Sequence, residues 1–334
     1  MKSSLFAAAL VGSLLASNAF ADGRKAGSVL IFPVHRSGTA FTVLSVTNTN
    51  LTPQTRISFG GSTNVHYQYV NVVPNPANAF RPLACVIFDR VEFLTPADTL
   101  SVMTTCHNAT AGTQEGYVVV DAEDPALFRT PWSHNDLIGS ELVVNASGTV
   151  YSTEAIPFSS PVSAGNETDL NQNRRMEFDG LEYERVPEQL YIDSFIALAE
   201  SRLSLLNLTG AEFDVNTIYL SVWNDNEFPL SATIDFNCWF DQPLVRVSPL
   251  FSDDFLGRTP QDPRELDLTC DGRGDLETGW AIIDSIGVRN PGGLVISPDG
   301  AVLGSITAGT TQTIDDGRLL WESRALQANG SFGY

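Results

Sequence analysis

The sequence predicts an all-β protein made of two tandem antiparallel β-sandwich domains, with one short helix between or beside them. Three observations carry this. Segments of about five to eight residues, rich in Val, Ile, Thr, Phe and Tyr, are separated by Gly, Pro, Asn and Asp at roughly 8–12-residue intervals, the punctuation of an antiparallel sandwich. Much of the chain is also spelled twice. "VLSVTNTNLTPQTRISF" (43–59) parallels "YLSVWNDNEFPLSATIDFNCWF" (219–240), each reading as a β-hairpin around a Pro-containing polar turn. "GYVVVDAED" (116–124) is answered by "GWAIIDSIG" (279–287), and "LIGSELVVNASGTVYSTEAI" (137–156) by "PGGLVISPDGAVLGSITAG" (291–309). Shared order and turn chemistry over such a span argue for a duplicated domain. Finally, one segment alone has helical spacing: in "EQLYIDSFIALAESRLSLL" (188–206), Ile192, Phe195, Ile196, Ala199 and Leu203 recur at three- and four-residue steps behind Pro187-Glu188.

In chain order, Met1–Ala21 reads as a bacterial secretory signal peptide: Lys2, an apolar run from Leu5 to Leu15, and Asn18-Ala19-Phe20-Ala21 before a cleavage site. The apolar run is too short to span a bilayer, and no later segment reaches the roughly 20 apolar residues of a membrane helix. The first domain is expected over 22–157. There "SVLIFPVH" (28–35) is continuously apolar, as for a strand covered on both faces. "TVLSVTNT" (42–49) and "RISFGG" (56–61) form an expected hairpin. In "NVHYQYVNVV" (64–73), Val65, Tyr67 and Tyr69 fall on one face and His66, Gln68 and Val70 on the other. "PFSSPVSAGNETDLNQNRRMEFDG" (157–180) is poor in apolar residues and reads as a linker or long surface loop, disordered in part. Linker and helix together are expected over 158–206, and the second domain over 207–334.

The net charge is −20 on 334 residues, and only Lys2 and Lys25 are lysines. Nucleic acid and anionic membranes need clustered cations, so this balance excludes them as partners. Cys85, Cys106, Cys238 and Cys270 form an even set in a chain expected in an oxidising compartment, so disulfides are favoured over free thiols. Each copy holds two cysteines. Cys106 lies ten residues before Gly116 and Cys270 nine before Gly279, so pairing within copies, Cys85 with Cys106 and Cys238 with Cys270, is expected, with cross-domain pairing the alternative that would need both copies to exchange partners. Each such loop would contribute about 3 kcal/mol. No cysteine pair has zinc-knuckle spacing and the histidines do not cluster with them, which disfavours zinc.

No catalytic set is legible. The chain has no Gly-x-Ser-x-Gly elbow, no phosphate loop ending in Lys and no dinucleotide fingerprint. With 39 Asp and Glu residues, acid pairs are too numerous to single out a glycosidase. His35, His66, His107 and His134 read as scattered surface or hydrogen-bonded residues. Two weaker candidates stand out. In "ELDLTCDGRGDLETG" (265–279), Asp267, Asp271, Asp275 and Glu277 offer hard oxygens on a glycine-bearing loop, the donor type calcium selects, although the spacing is not that of a helix-loop-helix site. A solvated acidic loop braced by Cys270 is the alternative, and the Arg273-Gly274-Asp275 tripeptide carries no weight. Trp132 in "TPWSHND" is the tryptophan expected to stand exposed as a ligand contact, while Trp239 and Trp280 are expected to pack near a disulfide in the core.

The stretches "GSVLIFPV", "LSVTNTN", "VHYQYVN" and "FLTPADTLSV", with "FDGLEYERVPEQL" and "WNDNEFPLSATIDFNCW" in the second half, resemble exported bacterial proteins of unassigned activity. The resemblance implies tandem immunoglobulin-like sandwiches and carries over no catalytic residue. The expected function is therefore non-enzymatic: an exported structural or adhesive protein of the cell surface or extracellular matrix, self-assembling through strand edges. "DGRKAGSVLIFPV" and "RALQANGSFGY" are its candidate donor strands, with ordinary pairing inside their own domains the favoured alternative, and further copies of itself, a surface protein or a glycan its expected partners. The alternative is a soluble secreted module, extracellular or periplasmic, binding carbohydrate or depending on calcium. An outer-membrane barrel fits less well, because barrels carry regular strands of about ten residues and rarely four cysteines.

Overall fold

The computed structural model describes residues 25–36, 40–108, 115–127, 129–144, 150–198, 201–210, 212–258, 266–267, 270–272, 274–308, 313–314, 317–318, 322–325 and 327–328. The expected signal peptide, Arg273, Trp321 and the last six residues lie outside them. The first half contains β1 (Val29–Arg36), β2 (Phe41–Asn48), β3 (Thr63–Val73), β4 (Ala84–Leu94), β5 (Thr99–Met103), α1 (Thr104–His107), β6 (Glu115–Glu123), β7 (Leu137–Val144), β8 (Val150–Glu154) and β9 (Ile156–Phe158). The second contains β10 (Gln189–Ile196), β11 (Arg202–Asn207), β12 (Val215–Asn224), β13 (Pro229–Phe236), β14 (Trp239–Pro243), α2 (Leu244–Val247), α3 (Asp253–Leu256), β15 (Thr278–Arg289), β16 (Val295–Ser297), β17 (Val302–Ala308), β18 (Thr313–Ile314), β19 (Gly317–Arg318), β20 (Glu322–Ala325) and β21 (Gln327–Ala328).

The protein is all-β, and the duplication is visible in its sheets. The first half orders its strands β4-β3-β6-β1-β9 and β5-β2-β7-β8. The second half repeats this as β13-β12-β15-β10-β21 and β14-β11-β17-β20. Gly116 and Gly279 hold equivalent places, opposite His35 and Phe195, where β1 and β10 each shift register. A Cβ at Gly116 would lie 1.9 Å from the Val70 carbonyl oxygen, and one at Gly279 2.3 Å from that of Trp223. The Gly-aromatic motif is therefore a packing requirement of the sheet beside a bulge.

Two expectations are corrected here. The helix expected over 188–206 is not formed by its described residues: Gln189–Ile196 and Arg202–Asn207 are β10 and β11, strands of the second half's sheets rather than a linker and helix, and Ala199 of the expected helical face lies outside the described residues. The register shift between Ile192 and Phe195 places two buried residues three apart, which imitates a helical step, and long-range pairing with β15 overrides local propensity. The hairpin read over 43–59 is also absent. β2 pairs with β5 and β7, while 56–61 forms only a Thr55–Ser58 bridge, its loop tied by the Asn48 amide donating to the Gly61 carbonyl at 2.7 Å. Its apparent counterpart is a true hairpin, β12 with β13, but it is equivalent to β3 and β4. A Leu-Ser-Val alternation suits any half-buried strand and does not specify which one.

β1 is buried at every position, as its apolar run predicts. Leu30 and Phe32 face a core shared with Leu44, Val46, Val65, Tyr67, Tyr69, Val118 and Val120, so the two sheets of the first half enclose it. On the opposite face Val29, Ile31, Val34, Val70, Val72 and Val119 join a second cluster with Leu205, Leu206, Trp239 and Leu303 of the second half. β11 is likewise buried on both faces over Leu203–Asn207. Polar groups complete this seam. The Trp239 indole donates to the Pro33 carbonyl at 2.9 Å, and Arg36 pairs with Asp241, which also receives Arg202 Nε at 3.1 Å and the Ser204 hydroxyl at 2.9 Å.

The disulfide expectation is overturned. Cys85, at the start of β4, is bonded across the seam to Cys238, between β13 and β14, while Cys106 and Cys270 are exposed free thiols. The loss of symmetry has a topological cause: Cys85 lies on β4 and Cys238 just beyond β13, its counterpart, so packing of the halves, not spacing within each, brings them together. The bridge closes a separation of 153 residues. On the chain-entropy relation that stabilises the folded state by about 5 kcal/mol. Peptide mapping without reduction should yield Cys85 and Cys238 cross-linked with Cys106 and Cys270 alkylated; recovery of Cys106 or Cys270 in an intramolecular disulfide would contradict this pairing.

His35 is fully buried, its Nε2 3.3 Å from the Val70 carbonyl oxygen and its ring edge-on to Tyr69. Burial lowers its pKa to about 4, the Val70 hydrogen bond opposing and Arg36 assisting. The folded value lies below the unfolded one of 6.5, so the stabilisation is complete above pH 6.5 and is lost as pH falls towards 4. Chemical denaturation between pH 7 and 4 should show a loss of about 3 kcal/mol from this group, absent in His35→Leu.

Candidate functional site

The alternation of β3 sends Val65, Tyr67 and Tyr69 into the core and turns His66, Gln68 and Val70 the other way, as expected from the sequence. On the neighbouring β6, Tyr117, Val119, Asp121 and Glu123 share that outward face. Where the second half does not cover this face, a cleft of about 1800 Å³ opens. Its far wall comes from Asn207–Gly210, Asp214, Ile296, Ser297 and Ala301, and its side from residues 167–183.

That side wall is the segment expected to be a partly disordered linker. It is folded by its own carboxylates: Asp169 accepts the backbone N–H of Asn173 and Arg174 at 3.0 and 2.8 Å, and Glu182 accepts that of Leu170 at 2.8 Å. The buried Tyr183 hydroxyl meets Thr168 Oγ1 at 2.8 Å, and the loop is tied to the first half through Ser133 and Thr168 backbone hydrogen bonds. A low apolar content thus conceals a loop organised by Asx-type turns.

Seven carboxylates (Asp121, Glu123, Glu167, Asp169, Glu177, Asp179 and Asp214) and three arginines (Arg129, Arg174 and Arg175) line the cleft. At its floor, register places His66 opposite Asp121 and Asn64 opposite Glu123. His66 Nδ1 lies 3.3 Å from Asp121 Oδ1 and 3.4 Å from Glu123 Oε1, and Nε2 lies 3.3 Å from Asp89 Oδ1 on β4. Gln68 donates to Asp121 Oδ1 at 3.0 Å. Burial by itself would lower the pKa of His66, but the hydrogen bond and charge of Asp121, with Glu123 and Asp89, push it up to about 9. Glu123 is raised by burial and by Asp121, with His66 and Arg129 opposing. Its Oε2 is buried with no hydrogen-bond partner among the described residues.

The other histidines have structural places. His107, at the end of α1, bridges the Tyr69 hydroxyl at 2.6 Å and Glu92 at 3.2 Å, while His134 stacks on Trp132 and meets Asn48 Oδ1 at 3.0 Å. Trp132 is therefore not the exposed contact expected. It is half-buried, bridges to Glu167, and its indole donates to Thr63 Oγ1 at 2.9 Å. Trp239 is in the seam core beside the disulfide, as expected. Trp280 instead stacks on Trp223 with ring centroids 4.1 Å apart, on the half-exposed face of β12 and β15.

Nor are Asp267, Asp271, Asp275 and Glu277 gathered as a calcium set among the described residues. Asp267 accepts the backbone N–H of Asp271 and Gly272 at 3.2 and 2.7 Å, closing a local turn, while Glu277 is buried with its N–H on Asp253 Oδ1 at 3.0 Å. Among the described residues the group whose donor atoms converge, all within 4.8 Å, is His66, Asp121 and Glu123. The available sequence signal was an outward His in an alternating strand and an Asp-Ala-Glu step on another; their adjacency depends on strand order. No protein-family model and no curated protein matches the chain, so the chemistry of the cleft is read from its own residues.

Proposed function

We propose that this chain is an exported, non-catalytic binding protein of two immunoglobulin-like sandwiches, whose ligand occupies the cleft between its halves. The observation that carries this is the cleft itself: about 1800 Å³, walled by both halves, with seven carboxylates against three arginines. Clefts at domain boundaries are common ligand sites, and this donor set favours a neutral or cationic solute rich in amine or hydroxyl donors over an anion. A disulfide accords with an oxidising compartment, and no helix among the described residues is long and apolar enough to cross a membrane. Thermal melts of the mature protein against oligosaccharides, amino sugars and polyamines test the reading. A ligand at about 100 times its Kd adds about 2.7 kcal/mol, here a rise of about 5 °C. That rise should shrink in the double variant Glu167→Arg, Asp179→Arg, which reverses two exposed charges of the wall. A panel in which no compound moves Tm by more than about 1 °C would overturn the reading.

A second reading, self-assembly at a surface or in a matrix, rests on β4. This 11-residue strand lies at the edge of its sheet, with Val86, Ile87, Val91 and Phe93 between 36% and 56% exposed. A long apolar edge is a template for another strand, although Asp89, Arg90 and Glu92 interrupt it. The N-terminal donor strand is not free for this role: β1 is an interior strand, paired with β6 and β9. Mass photometry should find concentration-dependent oligomers that Val91→Lys with Phe93→Lys abolishes; a wild-type monomer at all micromolar concentrations would dismiss the reading.

A further inference from the structure

We propose that His66, Asp121 and Glu123 form a divalent-cation site on the floor of the cleft, selective for a transition ion of the zinc class, with Asp89 and Gln68 holding the ligands in position. This goes beyond the cleft reading, since the site can exist whether or not an organic ligand binds.

The distances suit such an ion. Ligands 2.0–2.1 Å from a tetrahedral centre lie about 3.3–3.4 Å from one another. His66 Nδ1 is 3.3 Å from Asp121 Oδ1 and 3.4 Å from Glu123 Oε1. The outer shell is also in place. Metal-bound histidines as a rule donate their second ring N–H to a carboxylate, and His66 Nε2 faces Asp89 Oδ1 at 3.3 Å; ligating carboxylates are themselves hydrogen-bonded, and Asp121 receives Gln68 at 3.0 Å.

A protonated His66 bridging the three carboxylates is the simpler explanation, and two facts go beyond it. Asp121 and Glu123 are about 95% buried and hold two carboxylates against one imidazolium, with Arg129 the other cation acting on Glu123, so a divalent ion bound directly to both carboxylates and to a neutral imidazole compensates the pair at closer range. Glu123 Oε2 is moreover buried without a hydrogen-bond partner among the described residues, an acceptor that His66 does not satisfy. Three protein donors leave a fourth position towards the cleft, the arrangement of open zinc sites. The imidazole nitrogen selects against calcium, which takes oxygen ligands.

The test uses the mature chain stripped with chelator, titrated with Co²⁺ by visible absorption and with Zn²⁺ by calorimetry. The expected result is one ion per chain, a four-coordinate cobalt spectrum without sulfur charge-transfer bands, and a zinc-dependent rise in Tm. Asp89→Asn should weaken zinc binding about 10–100-fold, and Glu123→Gln, which removes a direct ligand, by at least as much. Both are near-isosteric, and melting in chelator reports whether they fold. Absence of stoichiometric binding, equal affinity in both folded variants, or a thiolate-to-cobalt band assigning the ion to Cys106 or Cys270 would each overturn the proposal. Running the ligand panel on Glu123→Gln separates the two ideas: a ligand shift that survives without the ion leaves the cleft reading standing after the metal site has failed.

Discussion

The outward faces of β1, β3 and β6 carry Val29, Ile31, Val34, Val70, Val72 and Val119, and these side chains are buried in one cluster with residues of the second half and of the segment before it, among them Leu205, Trp239, Phe158 and Tyr183. At about 1.5–3 kcal/mol for each large aliphatic side chain, that surface contributes on the order of 10 kcal/mol, enough to hold the two halves in one arrangement. The Trp239 to Pro33 hydrogen bond and the Cys85–Cys238 bridge then fix the register of one half on the other. Because the same sheet continues past the covered region, its remaining outward residues become the floor of a cleft. The site is thus a consequence of incomplete burial of a sheet whose apolar part is needed for docking.

The seam also contains charge. Asp241 is buried, and although burial alone would raise its pKa, Arg36 and Arg202 hold it below the usual carboxylate range. Glu141, fully buried in the same region, has its pKa raised well above the ordinary carboxylate value by burial, with the Val34 N–H and Arg36 opposing. Paired charges in such a place contribute little net stability relative to apolar residues, but removing one partner strands the other, typically at 3–5 kcal/mol. Their effect is to penalise a displaced seam, and displacement would also reshape the cleft, since both halves wall it.

Much of this was legible in the residues. The alternation of Thr63–Val73 assigned His66 and Gln68 to the face opposite Val65, Tyr67 and Tyr69, and the apolar run Val29–Val34 signalled burial on two sides. Gly116 and Gly279 marked equivalent points of a duplicated sheet. Other signals misled for physical reasons. A β-bulge in Gln189–Ile196 gave apolar residues a spacing of three, and turns satisfied by Asp169 and Glu182 made a folded wall resemble a linker. Cysteine counting assumed that each repeat closes on itself.

The sequence by itself determined what depends on near neighbours: the two-residue period of the strands, the turn chemistry between them, the acidic surface and the duplication. These follow from local sterics and solvation, which act over a few residues. Tertiary structure alone decided which cysteines meet, which histidine meets carboxylates, and where a cleft remains. Those outcomes depend on strand order and on how one sheet packs against another, and such contacts join residues far apart in the chain, as His66 with Asp121 and Cys85 with Cys238.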